Sequence, residues 1–210
     1  MFLHSAKVFG HTEIHWYKGT ESGVVYSDFA DAKVNRLLPV LERLRSEGYT
    51  HVLYTDSTDA FFVGTKEKIL RSYQKMEFPP VLFSRERGCY PHHHLGDKIP
   101  EHLRFPNTGQ YMGQIDALIT MWTAVRERYG KEPDNEQGWL QKACADGVNI
   151  VLDTKSQIFR ADASDYNPKH WSTCLVHQQG GYSSPERGKY DDMLPLFLRV
   201  FEKEPTCPSA

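Results

Sequence analysis

The firmest hydrophobic pattern in the chain is the nearly continuous apolar run ending in "HVLYTD", residues 51–56. A run of that kind predicts a strand covered on both faces, as in a parallel sheet. Before it, "DAKVNRLLPVLERLRSEG" repeats its apolar positions at helical spacing, so residues 31–48 form a predicted helix. Asp31 is its expected N-cap, Gly48 its stop, and Pro39 an expected kink. Residues 66–76 predict a further helix and "PPVLFS", 79–84, a second buried strand. Nearer the start, "FLHSAKVFG" carries Phe2, Leu3, Ala6 and Phe9 at helical spacing with Gly10 as the stop, and "TEIHWY" alternates like a short strand. Residues 85–110 lack periodicity and predict a long loop of the kind that carries function. "YMGQIDALITMWTAVRERYG" then predicts a short strand and an amphipathic helix. "DNEQGWLQKACADG" predicts another helix, with Asp134 and Glu136 in its first turn, where the helix dipole favours acids. Short strands are expected at 149–154, 157–161 and 173–178, and a last helix over 191–205. Strands alternating with helices define an α/β class, and one domain over 1–210 is the expected organisation.

Composition narrows the class without changing it. The 210 residues are 40% hydrophobic and 25% charged with a net charge of −2, which excludes a disordered chain and lacks the footprint of a dedicated nucleic-acid binder. Cys89, Cys144, Cys174 and Cys207 are widely spaced with no CxxC pair, a pattern that fits reduced thiols better than a disulfide framework. The start has no apolar core of signal-peptide length and no 18-residue apolar run exists, so a cytoplasmic location, with no membrane partner, is expected.

Chemistry concentrates at strand ends, where open α/β sheets bind ligands. Asp56 and Asp59 close the strongest strand with only Ser57 and Thr58 between them. Two carboxylates that close raise each other's pKa unless a cation lies between them. Either aspartate alone would be explained by turn capping; the pair is better explained by a metal or a nucleotide. Phosphatase chemistry of the haloacid dehalogenase type wants Asp-x-Asp-x-Thr, and the spacing here is Asp-x-x-Asp. His177 ends a late apolar strand and could complete an Asp/Asp/His set for Mn²⁺ or Zn²⁺. Cys89 with His92 to His94 invites a zinc reading, but consecutive histidines seldom converge on one ion, and a surface loop is the first expectation. Asp134, Glu136 and Gln137 crowd one helix start, either as a solvated turn or as carboxylates held over an acceptor hydroxyl. Asn107 and Gly109 sit in an expected turn where glycine would let backbone approach a ligand.

Taken in order, these stretches resemble the glycosyltransferase domain of the procollagen lysyl hydroxylases (the PLOD type) and its viral, phage and bacterial relatives, a GT-A fold group. The resemblance rests on "YTDSTDAFF", "VLFSRERGCYP", "RFPNTGQYMG", "PDNEQGWLQKA", "LDTKSQIFRA" and "LVHQQGG", six motifs collinear over about residues 30–182. It implies a GT-A-like nucleotide-diphospho-sugar transferase fold, with a mixed, mostly parallel central sheet flanked by helices. Carried backwards, the match puts Met1 inside the family's first helix, so the sheet is expected to lack its first strand.

The activity so implied is transfer of a hexose from a UDP-sugar to an acceptor hydroxyl, with Mn²⁺ (or Mg²⁺) as cofactor. Asp56, Asp59 and His177 would hold the metal. Lys33, Asp56, Ser57, Tyr90, Gly109 and Gly180 would face the donor, Tyr90 standing where the family has a loop tryptophan. Asn107 and Gly109 would border the sugar, and Asp134 and Glu136 the acceptor. The family's aspartate run is diluted here to Asp134-Asn135-Glu136, and its His-Gly-Asn-Gly has become His177-Gln178-Gln179-Gly180. The acceptor stays open between a hydroxylysine-like side chain, a glycan and a hydroxymethylated DNA base. The last would draw on Arg85, Arg87, Lys98 and Arg104, which read equally as solvated loop charges. The resemblance favours retention at the anomeric carbon, although no carboxylate nucleophile is evident. A non-catalytic sugar-nucleotide or interaction module, a UDP-sugar hydrolase, and an oligomer that supplies the missing strand are the other readings.

Overall fold

The computed structural model describes residues 2–15, 29–57, 59–132, 134–161 and 173–177. In chain order the elements are α1 (Phe2–Val8), α2 (Phe29–Ser46), β1 (His51–Thr55), β2 (Ala60–Phe62), α3 (Lys66–Lys75), β3 (Val81–Arg85), β4 (Pro106–Gln114), α4 (Ile115–Tyr129), α5 (Glu136–Ala145), β5 (Val151–Asp153), β6 (Phe159–Arg160) and β7 (Leu175–His177). The main sheet has the order β1-β4-β3-β5. Strands β1, β3 and β5 run the same way, as expected of a mostly parallel sheet. Because the reversed β4 is inserted between β1 and β3, only β3–β5 is a parallel pair.

Side-chain alternation along the strands divides the interior in two. Val81, Phe83 and Tyr111 face a core built with α2, α4 and α5. Leu82 and Met112 face the opposite way, into a core shared with α1, α3 and a second sheet of order β2-β7-β6. This second sheet is a finding the hydrophobic pattern missed, since β2 is only the triplet Ala-Phe-Phe directly after Asp59.

Several expectations are corrected. β1 is half-buried at most, because it is an outer strand of the described sheet; both its faces are nevertheless covered, Val52 and Tyr54 by one core and Leu53 by the other. Helix α2 begins at Phe29, so Asp31 lies in its first turn instead of capping it. The helix runs through Pro39, whose missing N–H removes the bond to the Asn35 carbonyl on an exposed face, where water can replace it. Gly48 does end that stretch, with φ +90°. Residues 12–15 form no strand: the His11 N–H just before them closes onto the Ala6 carbonyl, and the Ile14 N–H onto that of Thr12. Trp16, Tyr17 and the expected helix over 191–205 lie outside the described residues. Asn107 and Gly109, expected in a turn, are in β4, where the ladder to β3 shifts register between Phe83 and Ser84. Asp134 precedes α5, and Asn135 is the N-cap, accepting the Gly138 N–H at 2.7 Å.

Among the described residues no strand precedes β1, and no helix is long and apolar enough to cross a membrane. Cys89, Cys144 and Cys174 are buried, and Cys207 lies outside the described residues.

Candidate active site

The carboxyl end of β1 is where the ligand chemistry gathers. Asp56 leaves β1 with its N–H bonded to the Gly109 carbonyl on β4 at 2.8 Å. Asp59 precedes β2, and β2 pairs with β7 so that Ala60 lies opposite His177. The tertiary fold therefore brings a distant histidine up to two neighbouring aspartates, three side chains that could hold a metal ion. Asp56, Asp59 and His177 each offer a ligand atom, all within 4.8 Å of one another, the one such group among the described residues. His177 Nε2 lies 3.2 Å from Asp59 Oδ1.

Two further observations fit this trio to a divalent cation. Gly109 has no side chain where one would collide: a Cβ there would be 2.3 Å from His177 Cε1. The buried Nδ1 of His177 finds no hydrogen-bond partner among the described residues. Two carboxylate oxygens and an imidazole suit Mn²⁺, or zinc, by ligand type. Burial alone would push the His177 imidazole down, but the hydrogen bond and charge of Asp59, with Asp56 beyond it, outweigh burial and hold its pKa above the ordinary value.

Around the trio runs a buried polar network. Lys33, on α2, places Nζ 3.1 Å from Asp56 Oδ1 and 2.6 Å from Glu136 Oε1. Tyr54 donates to Asp56 Oδ1 at 2.7 Å, and Thr108 to Glu136 Oε1 at 3.1 Å. Asn107 Nδ2 donates to Glu86 at 3.1 Å and to Gln137 Oε1 at 3.2 Å, while its own oxygen accepts the Gly109 N–H at 3.0 Å. Eight of the ten residues of α5 are buried, so the polar ones among them must be paired, and they are.

Asp134 and Glu136, separated by one residue, serve different partners. Glu136 belongs to Lys33 and Thr108. The Asp134 carboxylate takes His92 Nε2 at 2.5 Å and Lys142 Nζ at 2.9 Å. Burial pushes the Asp134 pKa up, but those hydrogen bonds prevail and it lies below the ordinary carboxylate value. The Tyr90 carbonyl accepts from both Gln137 and Gln141 at 2.6 Å, so this part of the loop is fastened to α5 while the Tyr90 side chain stays 47% exposed. Ser57 is half-buried in the bend between the two aspartates. Gly180, with Gln178 and Gln179, lies outside the described residues. Cys89, His92, His93 and His94 do not converge into a metal site, in line with a loop role.

Sequence reasoning missed Glu86, Thr108 and Gln141. A carboxylate directly after the buried strand "VLFSR" was the available signal for Glu86; Thr108 and Gln141 had none. A shallow depression lined by Tyr49, His51, Gln114 and Asp116 lies at the other end of β1, away from these groups.

A family model described as the PLOD GT domain matches residues 1–167, and the chain belongs to that family. The mixed α/β architecture agrees with the GT-A-like class expected for it, and the domain is a glycosyltransferase by family. Mouse procollagen-lysine,2-oxoglutarate 5-dioxygenase 2 is 28% identical over 174 residues, 76% of this chain and 23% of that protein. The human multifunctional procollagen lysine hydroxylase and glycosyltransferase LH3 is 26% identical over 170 residues, again 76% of this chain and 22% of the relative. The chain thus spans less than a quarter of the length of these relatives. Among solved structures, mouse xyloside xylosyltransferase 1 in its apo form aligns with a TM-score of 0.48 at 12% identity, covering 88% of this chain and 73% of the other.

Proposed function

We propose that this chain transfers a hexose from a UDP-sugar to an acceptor hydroxyl with a divalent cation, Mn²⁺ by preference, held by Asp56, Asp59 and His177. The observation that carries the reading is the convergence of those three ligand atoms in a chain of this family. When bound, the cation supplies Lewis-acid stabilisation of the negative charge that gathers on the departing diphosphate.

The chain's own residues do the positioning. Lys33 is held as a cation between Asp56 and Glu136 and faces the donor's diphosphate in this reading, together with Ser57 and Gly180. Tyr90 offers an exposed ring to the donor from a fastened backbone. Asn107 and Gly109 border the sugar. Asp134 and Glu136 edge the acceptor side, their carboxylates occupied by cationic partners. The names of the relatives favour a hydroxylysine-like hydroxyl over a glycan or a modified DNA base.

Calorimetric titration of UDP with and without Mn²⁺ tests this. Binding by the wild type is expected to require Mn²⁺ and to vanish in Asp59→Ala; no binding under any condition by a folded sample would falsify the assignment. A pH series checks the same site. A protonated imidazole nitrogen cannot ligate, and the raised His177 pKa keeps the proton on past the ordinary value of about 6.5. Mn²⁺ affinity should therefore be weak at acid pH, climb as pH rises past about 6.5, and level off above the folded-state pKa. The metal-free protein should show the opposite trend in stability: the protonated imidazole's contribution is present below about 6.5 and lost as pH rises through the folded-state value.

A further inference from the structure

β2 is three residues long, and a strand that short holds its own register poorly. Yet Asp59 immediately precedes it and His177 closes the strand it pairs with. A slip of one residue would carry Asp59 about 3.3 Å along β7, whereas a metal–ligand bond tolerates only about 0.2 Å. Something outside the three-residue ladder has to fasten β2.

What stands against β2 on the side away from β7 is α1. The Ser5 hydroxyl, fully buried, accepts the Phe62 N–H at 3.0 Å and donates its own proton to the Phe2 carbonyl at 2.7 Å. The hydroxyl thus stands where a neighbouring strand would offer a carbonyl. The Phe2 and Phe62 rings lie with centroids 5.4 Å apart. Just past the strand, His11 stacks on Phe62 at 3.9 Å and sets Nε2 2.9 Å from the Gly64 carbonyl. A nitrogen facing a carbonyl carries the proton and donates it. Two polar bonds, one at each end of a stacked aromatic set, therefore tie the first turns of the chain to the segment that follows Asp59.

We infer that α1 and the turn after it form a clamp in which Ser5 and His11 are positioning residues for the cation ligands. They hold β2 in register on β7, and so hold Asp59 against His177. The inference rests on the cation site proposed above and adds residues that touch neither the cation nor the donor.

The test is Mn²⁺ affinity, followed by loss of the free-ion EPR signal, alongside urea denaturation. Ser5→Ala removes the acceptor for the Phe62 N–H; His11→Phe keeps a ring on Phe62 and removes the bond to Gly64. Tyr73→Phe is the comparison, since it loses a 2.6 Å hydrogen bond to the Pro79 carbonyl in the same core and leaves both bonds of the clamp intact. Both clamp variants should bind Mn²⁺ about tenfold more weakly, as losses around metal ligands commonly do. Tyr73→Phe should lose stability and keep its affinity. Should Ser5→Ala fail to fold, the half-buried position of His11 carries the test. Wild-type affinity in a folded clamp variant, or an equal loss in Tyr73→Phe, overturns the clamp and leaves the cation site standing. No Mn²⁺ binding by the wild type overturns both.

Discussion

Gly109→Ala should destroy cation binding without altering a single ligand. The new Cβ would lie 2.3 Å from His177 Cε1 and 2.8 Å from its Nδ1, separations no real Cβ sustains. The imidazole is the group that must move, because Gly109 is fixed in β4 by the Asp56 N–H on its carbonyl and by Asn107 on its own N–H. Moving it takes Nε2 away from Asp59 and breaks the trio. We expect Mn²⁺ affinity to fall by at least about tenfold, with an overpacking cost of about 1–3 kcal/mol in urea denaturation. Gly113→Ala is the informative contrast. Its Cβ would press on the Pro80 carbonyl oxygen at 2.2 Å, near the far end of β4 from the Asp56–Asp59–His177 trio, so stability should fall while affinity holds. Wild-type affinity in Gly109→Ala would mean that His177 is not a ligand.

The second large effect is expected at Glu136. Its side chain and that of Lys33 are 9% and 10% exposed, which makes theirs a buried ion pair. Removing one member of such a pair strands the other charge and costs about 3–5 kcal/mol, whereas an exposed pair is worth about 1 kcal/mol or less. Glu136→Ala also leaves the Thr108 hydroxyl without the carboxylate it donates to. Asp56, 3.1 Å from Lys33 on its other side, offsets part of the loss, so the lower end of that range is expected. Lys33 then turns wholly to Asp56 and competes with the cation for its carboxylate, so Mn²⁺ affinity should drop as well. Replacing both residues with apolar ones, Lys33→Met with Glu136→Leu, should restore part of the stability, since neither member of the pair is left stranded, while Asp56 loses Lys33 and keeps the Tyr54 hydroxyl. The double-mutant cycle measures the coupling directly. Single variants within about 1 kcal/mol of wild type would show that the pair behaves as if solvated.

The parts of the site that could be foreseen share one property: each is marked by a local contrast. Asp56 and Asp59 stand out because two carboxylates close an apolar strand, and His177 because it ends another. Pairings such as Lys33 with Glu136, or His92 with Asp134, leave no such mark, because the partners are 103 and 42 positions apart and each looks like an ordinary surface charge where it stands. The Asn107–Gly109 stretch read as a turn for a related reason. Asn and Gly are poor strand formers, and the side-chain amide of Gln137 with the carboxylates of Glu86 and Glu136 makes that polar segment acceptable inside a sheet.

By itself the sequence determined the order and kind of most elements, since periods of 3.6 and 2 are written in neighbouring residues, and it marked three candidate cation ligands at strand ends. Tertiary structure alone decided that β4 enters between β1 and β3, that a three-residue β2 builds a second sheet with β6 and β7, and that the long loop is fastened to α5 through the Tyr90 carbonyl. Strand pairing and buried charge pairing are set by which distant groups can satisfy one another once water is excluded, and local periodicity carries no record of that choice.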